Sequence, residues 1–174
     1  MKPTPVSDSD HCRGPLNAPL TLIEYGDYEC PFCVKAFPII EKVRARLGDK
    51  LCFVYRHVPR SRGTNFAKQA AEAAEFAASQ GRFWEMHEAL FTHPDWREVE
   101  QLVSAAKSVG LDAEACRKAL ADRTFVGRVR EITVASVQSG IIGTPTLFIN
   151  GVRYEDRMEE EPLASALEAA LPQR

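Results

Sequence analysis

Two cysteines separated by two residues, Cys30-Pro31-Phe32-Cys33, stand between the apolar run Leu20-Thr21-Leu22-Ile23-Glu24-Tyr25 and the helically spaced segment Val34 to Leu47. The pair demands a strand that ends where a helix begins. A dithiol at such a turn points to redox chemistry. The first cysteine meets free backbone N–H groups and the positive end of the helix dipole, which favour a negative charge. The thiolate is the nucleophile in disulfide exchange, so the position activates Cys30. Cys33 follows by about one helical turn, within bonding reach of Cys30. Pro31 suits the first helical position, where a missing N–H costs nothing. On this reading Cys30 is exposed and reactive, and Cys33 is buried and slow.

The 174 residues are enough for one domain with its own core, and a 45% hydrophobic, 26% charged composition is ordinary for a globular chain. A net charge of −2 gives no basic face for nucleic acid. No stretch is long and apolar enough to span a bilayer. The first residues, Met1 to Asp8, lack the apolar core of a signal peptide. Taken as written, the chain is expected in the cytoplasm; a chain whose export signal had been removed would read the same and would be periplasmic or extracytoplasmic. Five cysteines, mostly scattered, are not a disulfide framework. Cys52 reads as a small core residue, Cys116 as a helix residue, and Cys12 as part of a flexible leader.

Residues 1–18 read as an extended arm. Residues 20–26 read as a central strand and 31–47 as a helix, which Pro38 should kink. Leu51 to Arg56 reads as a second, parallel strand. From Phe66 to Ser139 only helical patterns occur, broken at Gly81, His93-Pro94-Asp95 and Gly110, with Asp112 placed to cap. Thr146 to Ile149 and Val152 to Tyr154 flank Asn150-Gly151, a strong hairpin signal. Pro162 to Leu171 closes the chain as a helix. The order is βαβ, a helical block, then ββα: an α/β, thioredoxin-like fold with an all-helical insertion over residues 62–140 of a single 1–174 domain.

The chain resembles the DsbA-like branch of the thioredoxin superfamily. The residues that carry the resemblance are Glu24 through Cys33, Phe83-Trp84-Glu85-Met86-His87, and Gly143-Thr144-Pro145-Thr146-Leu147-Phe148-Ile149-Asn150-Gly151. The resemblance implies that Cys30 attacks, that Cys33 resolves, and that Pro145 is a cis-proline facing the dithiol. It implies that Pro31, Phe32, Thr144 and Pro145 form the substrate-binding surface. It also places a buried carboxylate at Glu24, which could take the proton of Cys33. Alternation along the strand leaves open whether Glu24 faces the core or solvent.

Phe32 replaces the histidine found in strongly oxidising relatives. Without that cation, and with Asp27 and Glu29 nearby, the reduced form is expected to be less favoured than in those relatives. A zinc site built from Cys30 and Cys33 with His57 or His87 lacks a second close-spaced pair, so no metal is assigned, nor any cofactor. His87 reads as a core or boundary histidine. The function expected is disulfide exchange with protein or peptide thiols, together with a redox partner of unknown identity. The alternatives are a glutathione-dependent transferase or isomerase on the same fold, and a peptide-binding chaperone module with an incidental dithiol.

Overall fold

The computed structural model describes residues 2–60 and 64–172. The strands β1 (His11–Arg13), β2 (Leu20–Gly26), β3 (Leu51–His57), β4 (Thr146–Ile149) and β5 (Val152–Tyr154) form one sheet in the order β1-β3-β2-β4-β5. β2 and β3 run parallel, from Leu20 opposite Leu51 to Gly26 opposite His57. They are joined through α1 (Pro31–Leu47) and a single 3-10 turn at Gly48–Lys50. Pro38 lies inside α1, which continues through it.

β4 pairs antiparallel with β2, and β5 with β4. The hairpin between β4 and β5 turns at Asn150 and Gly151, both with positive φ (47° and 81°), which asparagine and glycine tolerate. The Asn150 amide side chain also accepts from Thr21 N–H at 2.8 Å, pinning the turn to β2.

Between β3 and β4 come α2 (Phe66–Ser79), α3 (Phe83–Thr92), α4 (Val99–Ser108), α5 (Ala113–Ala121) and α6 (Val126–Gln138). The boundary expected at residue 62 lies outside the described residues. α2 buries Ala70, Ala71, Ala73, Ala74 and Ala77, whose small side chains let neighbouring helices approach closely. Asp112 caps α5 as expected, accepting from Ala115 N–H at 2.8 Å. α7 (Glu160–Ala169) closes the chain.

The expected arm differs from what forms. His11–Arg13 add an edge strand antiparallel to β3, with Cys12 opposite Val54. Buried Arg56 holds the segment before it: Nε donates to Asp10 at 2.7 Å, and Nη1 donates to the Thr4 hydroxyl at 2.7 Å. A three-residue strand is too short to show a period, so the anchor on another element decides it.

Apolar side chains collect on both faces of the sheet. Leu20, Leu22, Phe53, Tyr55 and Leu147 face α1, with Cys30, Cys33, Ala36 and Ile40. Ile23, Tyr25, Cys52, Val54 and Phe148 form the opposite cluster. Gly26 leaves room for the Tyr55 ring. An added Cβ there would lie 2.5 Å from Tyr55 Cε2, and Tyr55 is too deeply buried to move aside. Gly26→Ala should therefore cost about 1–3 kcal/mol, read as a lower denaturation midpoint at unchanged slope. An unchanged midpoint would mean that the ring repacks freely.

Candidate active site

The end of β2 delivers the chain into α1 through Asp27, Tyr28 and Glu29, and each of these side chains holds the turn. Asp27 is buried and accepts from Glu29 N–H and Arg60 N–H, both at 2.9 Å. Tyr28 packs on Tyr55 and Phe91 and hydrogen-bonds His87 Nδ1 at 3.1 Å. His87 is thus a satisfied core histidine. Glu29 accepts from Ala67 N–H at 2.9 Å and satisfies one free donor at the start of α2. The dithiol turn is fastened to the helical block on one side and to the 58–60 loop on the other.

Cys30 is the N-cap of α1 and Pro31 its first residue. The cysteines are free thiols. The exposure expected for Cys30 is not found: it is 1% exposed, and Cys33 0%. What covers the sulfur is the segment before β4. The Thr144–Pro145 peptide bond is cis, and Cys30 Sγ donates to Thr144 O at 3.2 Å. Arg60 Nη1 donates to Ile142 O at 2.8 Å, so the loop that carries Arg60 grips both the Asp27 turn and this segment.

Equal burial does not make the thiols equivalent. A hydrogen bond from the Cys33 thiol lowers the Cys30 pKa most, to about 5. The Thr144 side chain and the N–H groups of Cys33 and Phe32 add to this, against the opposing effect of burial. All of these donors but Thr144 belong to the first turn of α1, so the helix terminus stabilises the thiolate, with no help from a cation in the dipeptide. Burial pushes the Cys33 thiol far up, and its bond to Cys30 pushes it further. Burial raises the Asp27 carboxyl above its ordinary pKa, against the lowering effect of the Arg60 and Glu29 N–H groups.

The open question about Glu24 is resolved by packing. Glu24 shares its face with Leu20 and Leu22, toward α1, and lies on the central strand between Tyr55 of β3 and Leu147 of β4. It is 2% exposed, and its Oε1 has no hydrogen-bond partner. Burial raises its pKa to about 8, and the nearby Cys30 adds to the shift. A buried carboxyl of this kind is protonated at neutral pH and can exchange that proton near the working pH.

Phe32 projects outward, 63% exposed. It borders a groove of about 440 Å³ that also meets Lys35, Thr144, Pro145, Tyr154 and Met158. Phe32, Thr144 and Pro145 therefore share one surface, while Cys30, Cys33 and Glu24 lie beneath it. His57 does not join the cysteines. It turns toward His11 and Glu75, a grouping that sequence spacing could not reveal because the three stand on β3, β1 and α2.

A family model described as Thioredoxin matches residues 7–169. Among solved structures, the chain superposes on BdbD from Bacillus subtilis (oxidised) with a TM-score of 0.85 and 27% identity, covering 98% of this chain and 97% of that one. It superposes on alpha-DsbA1 from Wolbachia pipientis with a TM-score of 0.84 and 19% identity, covering 95% and 92%. For the MdbA protein, a thiol-disulfide oxidoreductase from Corynebacterium matruchotii, the TM-score is 0.72 and the identity 21%, covering 90% and 87%. Among curated proteins, Na(+)/H(+) antiporter NhaA 3 of Salinispora tropica is 40% identical over 163 residues, 94% of this chain and 25% of the relative. Na(+)/H(+) antiporter NhaA 1 of Mycolicibacterium vanbaalenii is 42% identical over 164 residues, 93% and 27%. The chain thus spans about a quarter of the length of the curated relatives it matches.

Proposed function

The chain belongs to the thioredoxin family, and from that we propose that it is a thiol–disulfide oxidoreductase acting on protein or peptide substrates through Cys30 and Cys33. One observation carries the reading: Cys30 caps α1 with its sulfur 3.2 Å from Thr144 O and Cys33 is buried in the next turn, an arrangement that drives the two thiols apart, Cys30 down to about 5 and Cys33 far up. A structural pair needs no such division.

Cys30 thiolate attacks a substrate disulfide, a Cys30–substrate bond forms, and one substrate sulfur leaves as thiolate. Cys33 then gives up its proton, attacks the Cys30 sulfur and releases the second substrate thiolate. The enzyme ends oxidised and the substrate reduced by two electrons. The reverse sequence oxidises a substrate dithiol. Glu24, in the fraction that is ionised near its raised pKa of about 8, receives the Cys33 proton. Phe32, Pro31, Thr144 and Pro145 form the surface on which an extended substrate segment lies.

The antiporter activity in the names of the curated relatives is not carried over. This chain spans a quarter of them, and among its described residues no helix is long and apolar enough to cross a membrane. As a net oxidant the domain requires an extracytoplasmic compartment, since the cytosolic glutathione poise keeps pairs of ordinary potential reduced.

Cys33→Ser tests the reading. It should accumulate a Cys30-linked mixed disulfide with reduced, unfolded substrate protein in the presence of oxidised glutathione, and it should lose insulin-reducing turnover. A variant that keeps full turnover belongs to a monothiol, glutathione-type enzyme. A wild type that only suppresses aggregation, with no exchange, is a chaperone module.

A further inference from the structure

We propose that His11, His57 and Glu75 form a binding site for a borderline divalent cation of the zinc type, separate from the dithiol. The three donor atoms lie within 4.8 Å of one another. His11 Nε2 stands 2.7 Å from Glu75 Oε1, and His57 Nε2 stands 3.1 Å from the same oxygen. The second contact is close without being a hydrogen bond. His57 is 1% exposed, yet its Nε2 has no hydrogen-bond partner. A buried ring nitrogen left unsatisfied and aimed at a carboxylate is the arrangement that a cation between them would complete.

Two imidazoles and one carboxylate suit zinc and leave a fourth position for water. Donors about 2.0–2.1 Å from a tetrahedral zinc stand about 3.3 Å apart, so Glu75 Oε1 needs to part from His11 Nε2 by about 0.6 Å and from His57 Nε2 by about 0.2 Å. The rings are already oriented. His11 stacks on Phe83 with centroids 3.6 Å apart, and His57 meets Phe83 edge-on at 5.8 Å. Arg128 is the opposing charge. Its Nε lies 4.0 Å from Glu75 Oε2, away from the oxygen that faces the rings, and its Nη1 lies 3.6 Å from Glu131. Its Nη2 donates to Ser9 O, which holds the guanidinium on the Oε2 side of Glu75.

The cation would tie the edge strand β1 and helix α2 to β3, replacing the His11–Glu75 hydrogen bond with a clamp across three elements. Its binding would add to stability by mass action, without touching the reacting sulfurs.

The test uses the full chain, oxidised at Cys30–Cys33 so that the dithiol cannot bind metal, and stripped with chelator. Titration with zinc chloride in a calorimeter should show one zinc per chain and a raised melting temperature. His11→Ala, on an edge strand where folding is least at risk, and Glu75→Gln should each weaken binding by about tenfold or more and lose the thermal shift. Cobalt(II) in place of zinc should show d–d absorption without a sulfur charge-transfer band. No zinc bound by the wild type, undiminished binding in both variants, or a sulfur band from coordination by Cys12 would each overturn the assignment.

Discussion

Cys30→Ser should lower insulin-reducing turnover by about a thousandfold or more, because the only low-pKa thiol is gone and serine cannot form a disulfide. The same variant should lose a thiolate absorbance step whose midpoint in the reduced wild type is near pH 5. Two readouts guard against misreading a folding defect, since the far-ultraviolet spectrum should not change. The folded pKa of Cys30 is depressed, so its contribution to the stability of the reduced form is present at high pH and is lost as pH falls through about 5. Below that pH the reduced form should have lost this contribution relative to the oxidised form. A stability difference between the two forms that stays the same from pH 8 to pH 4 would mean that the thiolate does not stabilise the reduced form.

Glu24→Gln should reverse sign between stability and rate. The folded carboxyl has its pKa raised from 4.5 to about 8. The folded state then keeps a proton that the unfolded state has lost, so stability falls as pH rises through that window. At 1.36 kcal/mol per unit the loss approaches an order of 4 kcal/mol by pH 8. Glutamine keeps the volume and cannot ionise. In the oxidised protein, where the Cys30 thiolate no longer adds to the shift, the variant should lose this part of the pH dependence and gain stability over wild type as pH rises toward 8. Its turnover should fall by about a hundredfold near pH 8, where the wild-type carboxyl is about half ionised and can receive the Cys33 proton. Parallel pH profiles for wild type and variant would show that Glu24 is solvated and plays no part in proton transfer.

These two side chains also show how far sequence reasoning reached. The bounds of α1 were legible to the residue, Pro31 to Leu47, because a proline that starts a helix and a glycine that ends one are local signals. The hairpin at Asn150-Gly151 was legible for the same reason. The dithiol and the proline segment that faces it came from a motif and a resemblance. What failed was information held by distant partners. β2 is buried along nearly its whole length, so its alternation carried no polar face against which to orient Glu24; packing against α1 gives the answer. The burial of Cys30 depends on Thr144, 114 residues away. β1 depends on Arg56, and the His11–His57–Glu75 grouping on three elements that only the fold brings together.

The most direct measurement is the reduction potential of the Cys30–Cys33 pair at pH 7, from mass spectrometry of the protein equilibrated across glutathione buffers. A thioredoxin-type pair with a nucleophile pKa near 7 lies at about −270 mV. Lowering that pKa to about 5 stabilises the reduced thiolate. The gain is about 2 kcal/mol at pH 7, or up to about 50 mV. The expected potential therefore lies between about −270 and −220 mV, reached reversibly, with Cys30 and Cys33 as the linked residues. A pair that will not equilibrate with glutathione, or one below about −300 mV where structural disulfides lie, would contradict a catalytic dithiol.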